Sequence, residues 1–238
     1  MLPRAILFDM DDTLILSFKG SPRDVWRRTL DEFHADLNPS SLDATADALY
    51  AAALEFWSDS ARHKPARLDL ARTRREITGI GLRRAGIAND ALAHRIADAL
   101  AALRDREISL FPHAHETLDR LRAAGVRLAL VTNGATQPQW EKIRRFDFEH
   151  RFDHIQVEGD VGFGKPETEA YLHALQAVGA DAQSAWMVGD NLEWEVAAPQ
   201  RLGIHTIWHD HNGNGLPENP PAQPDRIIRG LAELTQGL

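Results

Sequence analysis

The chain has 238 residues, 43% hydrophobic and 26% charged, an ordinary globular composition that excludes disordered, collagen-like and coiled-coil organisation. Its 35 acidic residues against 27 basic ones leave a net charge of -8, which disfavours a binder of nucleic-acid backbone or of anionic membranes. With no cysteine there is no disulfide framework, thiolate metal site or thiol nucleophile, as suits a reducing compartment.

The first apolar run, Arg4 to Phe8, leads into Asp9, Asp11 and Asp12 and reads as a buried parallel strand with a polar C-terminal edge. Asp9 interrupts that run before a signal-peptide core or a membrane span could form, so a soluble, cytoplasmic protein is expected. Ser21, Pro22 and Asp24 then supply an N-cap, a first-turn proline and an acidic third position, which predict a helix start. Val25, Trp26, Leu30, Phe33 and Leu37 recur at helical spacing, and a second stretch sets Leu49, Tyr50, Ala53, Leu54 and Trp57 on one face. A third stretch lies around Leu68 to Ile80, and a fourth runs from Asn89 through Leu92, Ile96, Leu100 and Leu103. Residues 17–107 therefore read as a helical block of small-domain size.

From Phe111 the rhythm changes to alternating helix and strand. Helices are predicted over His113 to Ala124, Gln139 to Phe146, Glu167 to Val178 and Leu192 to Leu202. Strands are predicted over Val126 to Val131, Ile155 to Val157, Ala185 to Val188 and His205 to Trp208, with Ile227 and Ile228 as an edge strand before a terminal helix. This alternation predicts an α/β fold with a doubly wound parallel sheet and helices on both faces.

Ligands of such sheets bind at the carboxyl ends of the strands, where this chain places four polar clusters. They are Phe-Asp-Met-Asp-Asp-Thr-Leu at 8–14, Val-Thr-Asn-Gly at 131–134, Gly-Lys-Pro-Glu at 164–167 and Val-Gly-Asp-Asn-Leu-Glu-Trp-Glu at 188–195. Asp9 is a carboxylate able to attack phosphorus and form a mixed anhydride, and Asp11 is two residues on, on the same side if the chain stays extended. Carboxylates at 9, 11 and 190 would repel one another and an incoming phosphate unless a hard cation neutralised them, and Mg²⁺ is the natural candidate. Thr132 and Asn133 offer a hydroxyl and an amide beside a helix start, and Lys165 offers a point cation. Taken singly, these are also an exposed acid, a helix cap at Asp190, an ordinary turn and a solvated lysine.

Together, in this order, the four clusters resemble the motifs of the haloacid dehalogenase-like (HAD) phosphohydrolases. That resemblance implies a Rossmann-like catalytic core over 1–16 and 108–238, with 17–107 as an inserted α-helical cap. It implies Asp9 as nucleophile and Asp11 as the group that protonates the leaving alcohol and then deprotonates water. It further implies Thr132, Asn133 and Lys165 on the phosphate, and Mg²⁺ held by the Asp9 and Asp190 side chains with the Asp11 carbonyl. Asp11 separates reaction classes, because a halide leaves without a proton and dehalogenases on this scaffold lack an acid there. One departure is Glu195, where the family commonly has aspartate; either Glu193 or Glu195 could orient metal-bound water. The implied activity is hydrolysis of a small phosphomonoester of sugar-phosphate, phosphoglycolate or nucleotide type, with no nucleic acid or membrane as partner. A phosphomutase on the same scaffold, or a non-enzymatic aspartyl-phosphate receiver or binding protein, are the alternatives.

Within the helical block, residues 62–84 hold eight basic residues (Arg62, Lys64, Arg67, Arg72, Arg74, Arg75, Arg83 and Arg84) against Asp69 and Glu76. They are either a solvated face or a patch that selects a substrate with a second anionic group. The pairs His113 with His115 and His209 with His211 lack partners to complete a metal shell, and Gly79-Ile80-Gly81 lacks the third glycine of a dinucleotide fingerprint.

Overall fold

The computed structural model describes residues 2–237. In chain order, β1 (Ala5–Phe8) and β2 (Ile15–Leu16) precede five helices, α1 (Pro22–Leu30), α2 (Leu42–Ser58), α3 (Ser60–Leu68), α4 (Leu70–Arg84) and α5 (Asp90–Glu107). There follow β3 (Ser109–Leu110), α6 (Ala114–Ala123), β4 (Arg127–Thr132), α7 (Thr136–Arg145), β5 (His154–Val157), α8 (Glu158–Val161) and α9 (Thr168–Val178). The chain ends with β6 (Ala185–Gly189), a π-helical stretch (Leu192–Ala197), α10 (Ala198–Gln200), β7 (His205–His209) and β8 (Arg226–Ile228). It divides into two compact units, Met1–Leu16 with Leu110–Leu238, and Ser17–Ser109.

In the first unit six strands form one parallel sheet in the order β5-β4-β1-β6-β7-β8. Phe8 at the end of β1 pairs in register with Leu130 on one side and Val188 on the other. The chain runs outward from β1 through β4 to β5 and then returns to β6, so the winding reverses beside β1, the place where such sheets bind ligands. All four residues of β1 are fully buried, which is why that strand reads as an unbroken apolar run. On one face Ala5, Leu7, Ala129 and Met187 pack with Tyr171 and Leu175 of α9.

Both C-terminal helices of this unit differ from the sequence reading. The helix expected over Leu192 to Leu202 is the π-helical stretch and α10, with Pro199, which has no N–H to extend a ladder, at their junction. The terminal helix is a 3₁₀ helix, Leu231–Thr235, too short to carry an α-helical ladder.

The second unit is helical. Its α1 starts at the expected capping box, with Ser21 and Asp24 bonded reciprocally and Pro22 in the first turn. Trp26, Leu30, Phe33, Leu49, Phe56 and Ile96 share one buried core. A Cβ on Gly81 would lie 2.7 Å from Leu49 Cα, so the glycine lets α4 cross α2 at backbone contact. The third predicted stretch is α4, while α3 before it was not predicted, because its Pro65 and four basic or histidine side chains leave no apolar period to announce it. Among the described residues no helix is long and apolar enough to cross a membrane.

Candidate active site

The acidic turn after β1 is built by one carbonyl. Met10 O accepts from the N–H of Leu14 at 2.9 Å and of Ile15 at 3.0 Å, and Asp12 takes a positive φ of 59° that aspartate tolerates. Extension therefore stops at Phe8, and the alternation expected to turn Asp9 and Asp11 to one side does not hold through the turn. Asp9 keeps the strand's line, its N–H bonded to Val188 O at 2.9 Å. Its side chain is buried, with Oδ2 accepting from Thr13 Oγ1 at 3.1 Å and Oδ1 from Lys165 Nζ at 2.5 Å.

Lys165, 1% exposed, also meets Glu195 Oε1 at 2.8 Å, so one buried ammonium bridges two buried carboxylates. Its position is set by Asn133, which accepts the Lys165 N–H at 2.8 Å and donates Nδ2 to Lys165 O at 2.7 Å. Burial alone would lower the lysine pKa, but the Asp9 and Glu195 carboxylates outweigh it and raise it, so the charge is secure. Burial pushes Glu195 up to about 7 against the pull of Lys165, and raises Asp9 as well. Of the two glutamates, Glu195 faces inward to Lys165, while Glu193 pairs with Arg201 at 3.2 Å in solvent. Gly189 makes room for the longer acid, since a Cβ there would lie 2.0 Å from Glu195 Cγ.

Asp11 turns toward α7. Lys142 Nζ contacts its two carboxylate oxygens at 2.7 and 2.8 Å, and Gln139 Nε2 donates to Oδ2 at 2.9 Å. The same Gln139 Nε2 lies 2.6 Å from Thr132 Oγ1 and 2.8 Å from Asn133 O, so its two hydrogens are shared among three acceptors and tie the end of β4 to the acidic turn. Because Thr132 accepts that bond, its own O–H is left to donate elsewhere. Gln139 and Lys142 were not singled out in the sequence, although a spacing of three puts both on one face of the helix after Val-Thr-Asn-Gly.

Asp190 is not the cap of the following helix. Asn191 takes that role, its Oδ1 accepting the Glu193 and Trp194 N–H groups at 3.0 Å each. The Asp190 carbonyl accepts from Trp208 Nε1 at 2.6 Å. Burial, then repulsion from Glu195, Asp9 and Asp12, raises the Asp190 pKa well above the carboxylate range. Among the described residues no three His, Cys, Asp or Glu side chains are grouped to hold a metal ion. The set expected here needs two carboxylates and one carbonyl, and its chemistry fits a hard cation: oxygen donors only, with several carboxylates that repel one another around the single Lys165 ammonium. The His209 ring, by contrast, is buried against Phe111 with centroids 4.9 Å apart, and burial pulls its pKa down to about 4, a neutral packing group.

Residues 3–203 match the haloacid dehalogenase-like hydrolase family, and the chain belongs to it. Among its relatives, a phosphoserine phosphatase of Thermus thermophilus is 36% identical over 143 residues, covering 60% of this chain and only 56% of the relative. A glyceraldehyde 3-phosphate phosphatase of Methanopyrus kandleri is 28% identical over 245 residues, covering 98% of this chain and 99% of the relative. The solved HAD-hydrolase YfnB of Bacillus subtilis, described as bound to magnesium, has the same fold, with a TM-score of 0.72 at 20% identity over 99% of this chain and 98% of that one.

Proposed function

We propose that the chain hydrolyses small-molecule phosphomonoesters through an aspartyl-phosphate on Asp9. The observation that carries this reading is the buried Asp9 carboxylate, oriented by Lys165 and Thr13 at the open end of β1, with a second acid, Asp11, anchored separately by Lys142. An Asp9 oxygen attacks phosphorus while Asp11 delivers a proton to the departing alcohol oxygen. Asp11, now ionised, takes a proton from water, which attacks phosphorus and releases inorganic phosphate, restoring Asp9. Lys165 offsets charge on Asp9 and the transferring group, and Thr132 O–H and the Asn133 region meet phosphate oxygens. The side chains of Asp9 and Asp190 and the Asp11 carbonyl would hold Mg²⁺. When bound, that ion supplies charge neutralisation for the carboxylates and the phosphate. In this reading Ser17–Ser109 is the cap and the remainder the catalytic core.

The names of two relatives, phosphatases for phosphoserine and for glyceraldehyde 3-phosphate, support a small phosphate ester as substrate. A haloacid substrate fits less well, because the anchored Asp11 would have no leaving group to protonate. The deciding experiment is phosphate release from a panel of phosphomonoesters with and without Mg²⁺, using Asp9→Asn as control. Metal-dependent release that the variant lacks is the expected result. Turnover only with a bisphosphate activator would replace hydrolysis by phosphomutase chemistry, and no turnover at all would point to a receiver or binding role.

A further inference from the structure

The basic segment of the helical unit resolves into paired and unpaired members. Arg62 meets Asp59 at 3.2 Å, Arg75 meets Asp98 at 3.0 Å, Arg83 meets Asp90 at 3.3 Å and Arg84 meets Glu55 at 2.6 Å. These four belong to solvated surface pairs. Arg74 is different: it points into a cavity of about 440 Å³ lying within Ser17–Ser109, which it shares with Arg104. Among the described residues neither guanidinium has a carboxylate within ion-pair distance. The rest of the wall is largely apolar and aromatic, with Phe18, Trp26, Tyr50 and Trp57 prominent. The Arg104 guanidinium lies 4.9 Å from the Phe18 ring centroid.

Two cations facing one largely apolar cavity are costly in the absence of an anion. Burial, with repulsion from Arg104 as the second cause, lowers the Arg74 pKa to about 10. The volume is that of a small-ligand site, where apolar walls carry affinity and a few polar groups fix orientation. Guanidinium forks match the planar, two-oxygen geometry of a carboxylate, and the aromatic walls call for an apolar body. We infer that the cavity of the helical unit binds a carboxylate with an aromatic or branched aliphatic body, its head held between Arg74 and Arg104.

This inference concerns ligand binding and does not rest on the phosphatase reading. The test is tryptophan fluorescence of the full chain, since Trp26 and Trp57 line the cavity, titrated with 4-phenylbutyrate, its neutral amide and inorganic phosphate. A saturable response to the acid is expected, with the amide and phosphate each at least tenfold weaker. Arg74→Gln and Arg104→Gln should each weaken the acid at least tenfold and leave the amide unchanged, while Arg75→Gln, in a surface pair, should change neither. Equal binding of acid and amide by the unaltered chain overturns the proposal without any variant having to fold. So does phosphate binding as tight as the acid, no saturable response to the acid, or a loss in Arg75→Gln equal to that in Arg74→Gln. Phosphate release is a separate readout, so failure of either reading is told apart from failure of the other.

Discussion

Lys142 grips Asp11 by both carboxylate oxygens, at 2.7 and 2.8 Å, across a separation of 131 residues. If Asp11 is the acid and base, Lys142 is a positioning residue. Lys142→Met should lower kcat by part of the ~10² to 10⁴ that a positioned acid–base contributes. The loss should be larger for alkyl phosphates than for p-nitrophenyl phosphate, whose leaving group needs no proton. An equal loss on both substrates would remove Asp11 positioning as the cause.

Lys165 neutralises two buried carboxylates, so its removal leaves charge without a partner. Lys165→Met should cost about 3–5 kcal/mol in urea unfolding, the range for breaking one side of a buried ion pair. Adding Glu195→Gln to that variant should recover part of the loss, and a double-mutant cycle reads the coupling directly.

Gly81→Ala places a methyl 2.7 Å from the Leu49 backbone, which cannot yield as a flexible side chain would. The expected cost is about 1–3 kcal/mol through overpacking of the α2–α4 crossing, seen as a lower melting temperature. Ala at Gly86, whose Cβ meets nothing within 4 Å but whose φ is +80°, would separate backbone strain from crowding.

Two partly buried aspartates contribute to the acid limb of stability. Asp153 accepts from the Leu128 N–H at 2.9 Å and from Arg127 at 2.7 Å, and Asp225 accepts from Thr206 N–H at 2.8 Å and its hydroxyl at 3.1 Å. Partial burial works to raise both, but these bonds outweigh it and hold both below the ordinary 3.8. The folded-state values lie below the unfolded ones, so the stabilisation is complete above about pH 4 and is lost as pH falls through the folded values. The double variant Asp153→Asn, Asp225→Asn should therefore melt lower than the parent at pH 6, with a gap that closes as pH drops below 4. A gap of constant width would contradict this assignment.

Much of this architecture is legible in the residues. Apolar runs such as Ala5 to Phe8 mark buried strands because parallel strands need both faces covered, and Ser21, Pro22 and Asp24 announce α1 through capping chemistry alone. Glu195 was not told apart from Glu193 in the sequence, and only its contact with the distant Lys165 distinguishes it. What stayed hidden depends on contacts between distant segments. Nothing local to Gln139 says that its amide will meet Asp11, Thr132 and Asn133 at once, and nothing local to Arg74 says that its neighbours in space include no acid. α3 escaped because its charged residues and Pro65 give no period to read.

The placement of β1 has a consequence for the order of folding. Of the six strands of this sheet, β1 is made first yet lies inside it, and both its neighbours, β4 and β6, are made only after the whole of Ser17–Ser109. That helical unit finds all its own core partners within one contiguous stretch, so it can close while β1 still waits, its apolar residues unpaired. Vectorial synthesis thus completes the helical unit before the sheet unit, and β1 is enclosed only once β4 and β6 have been made.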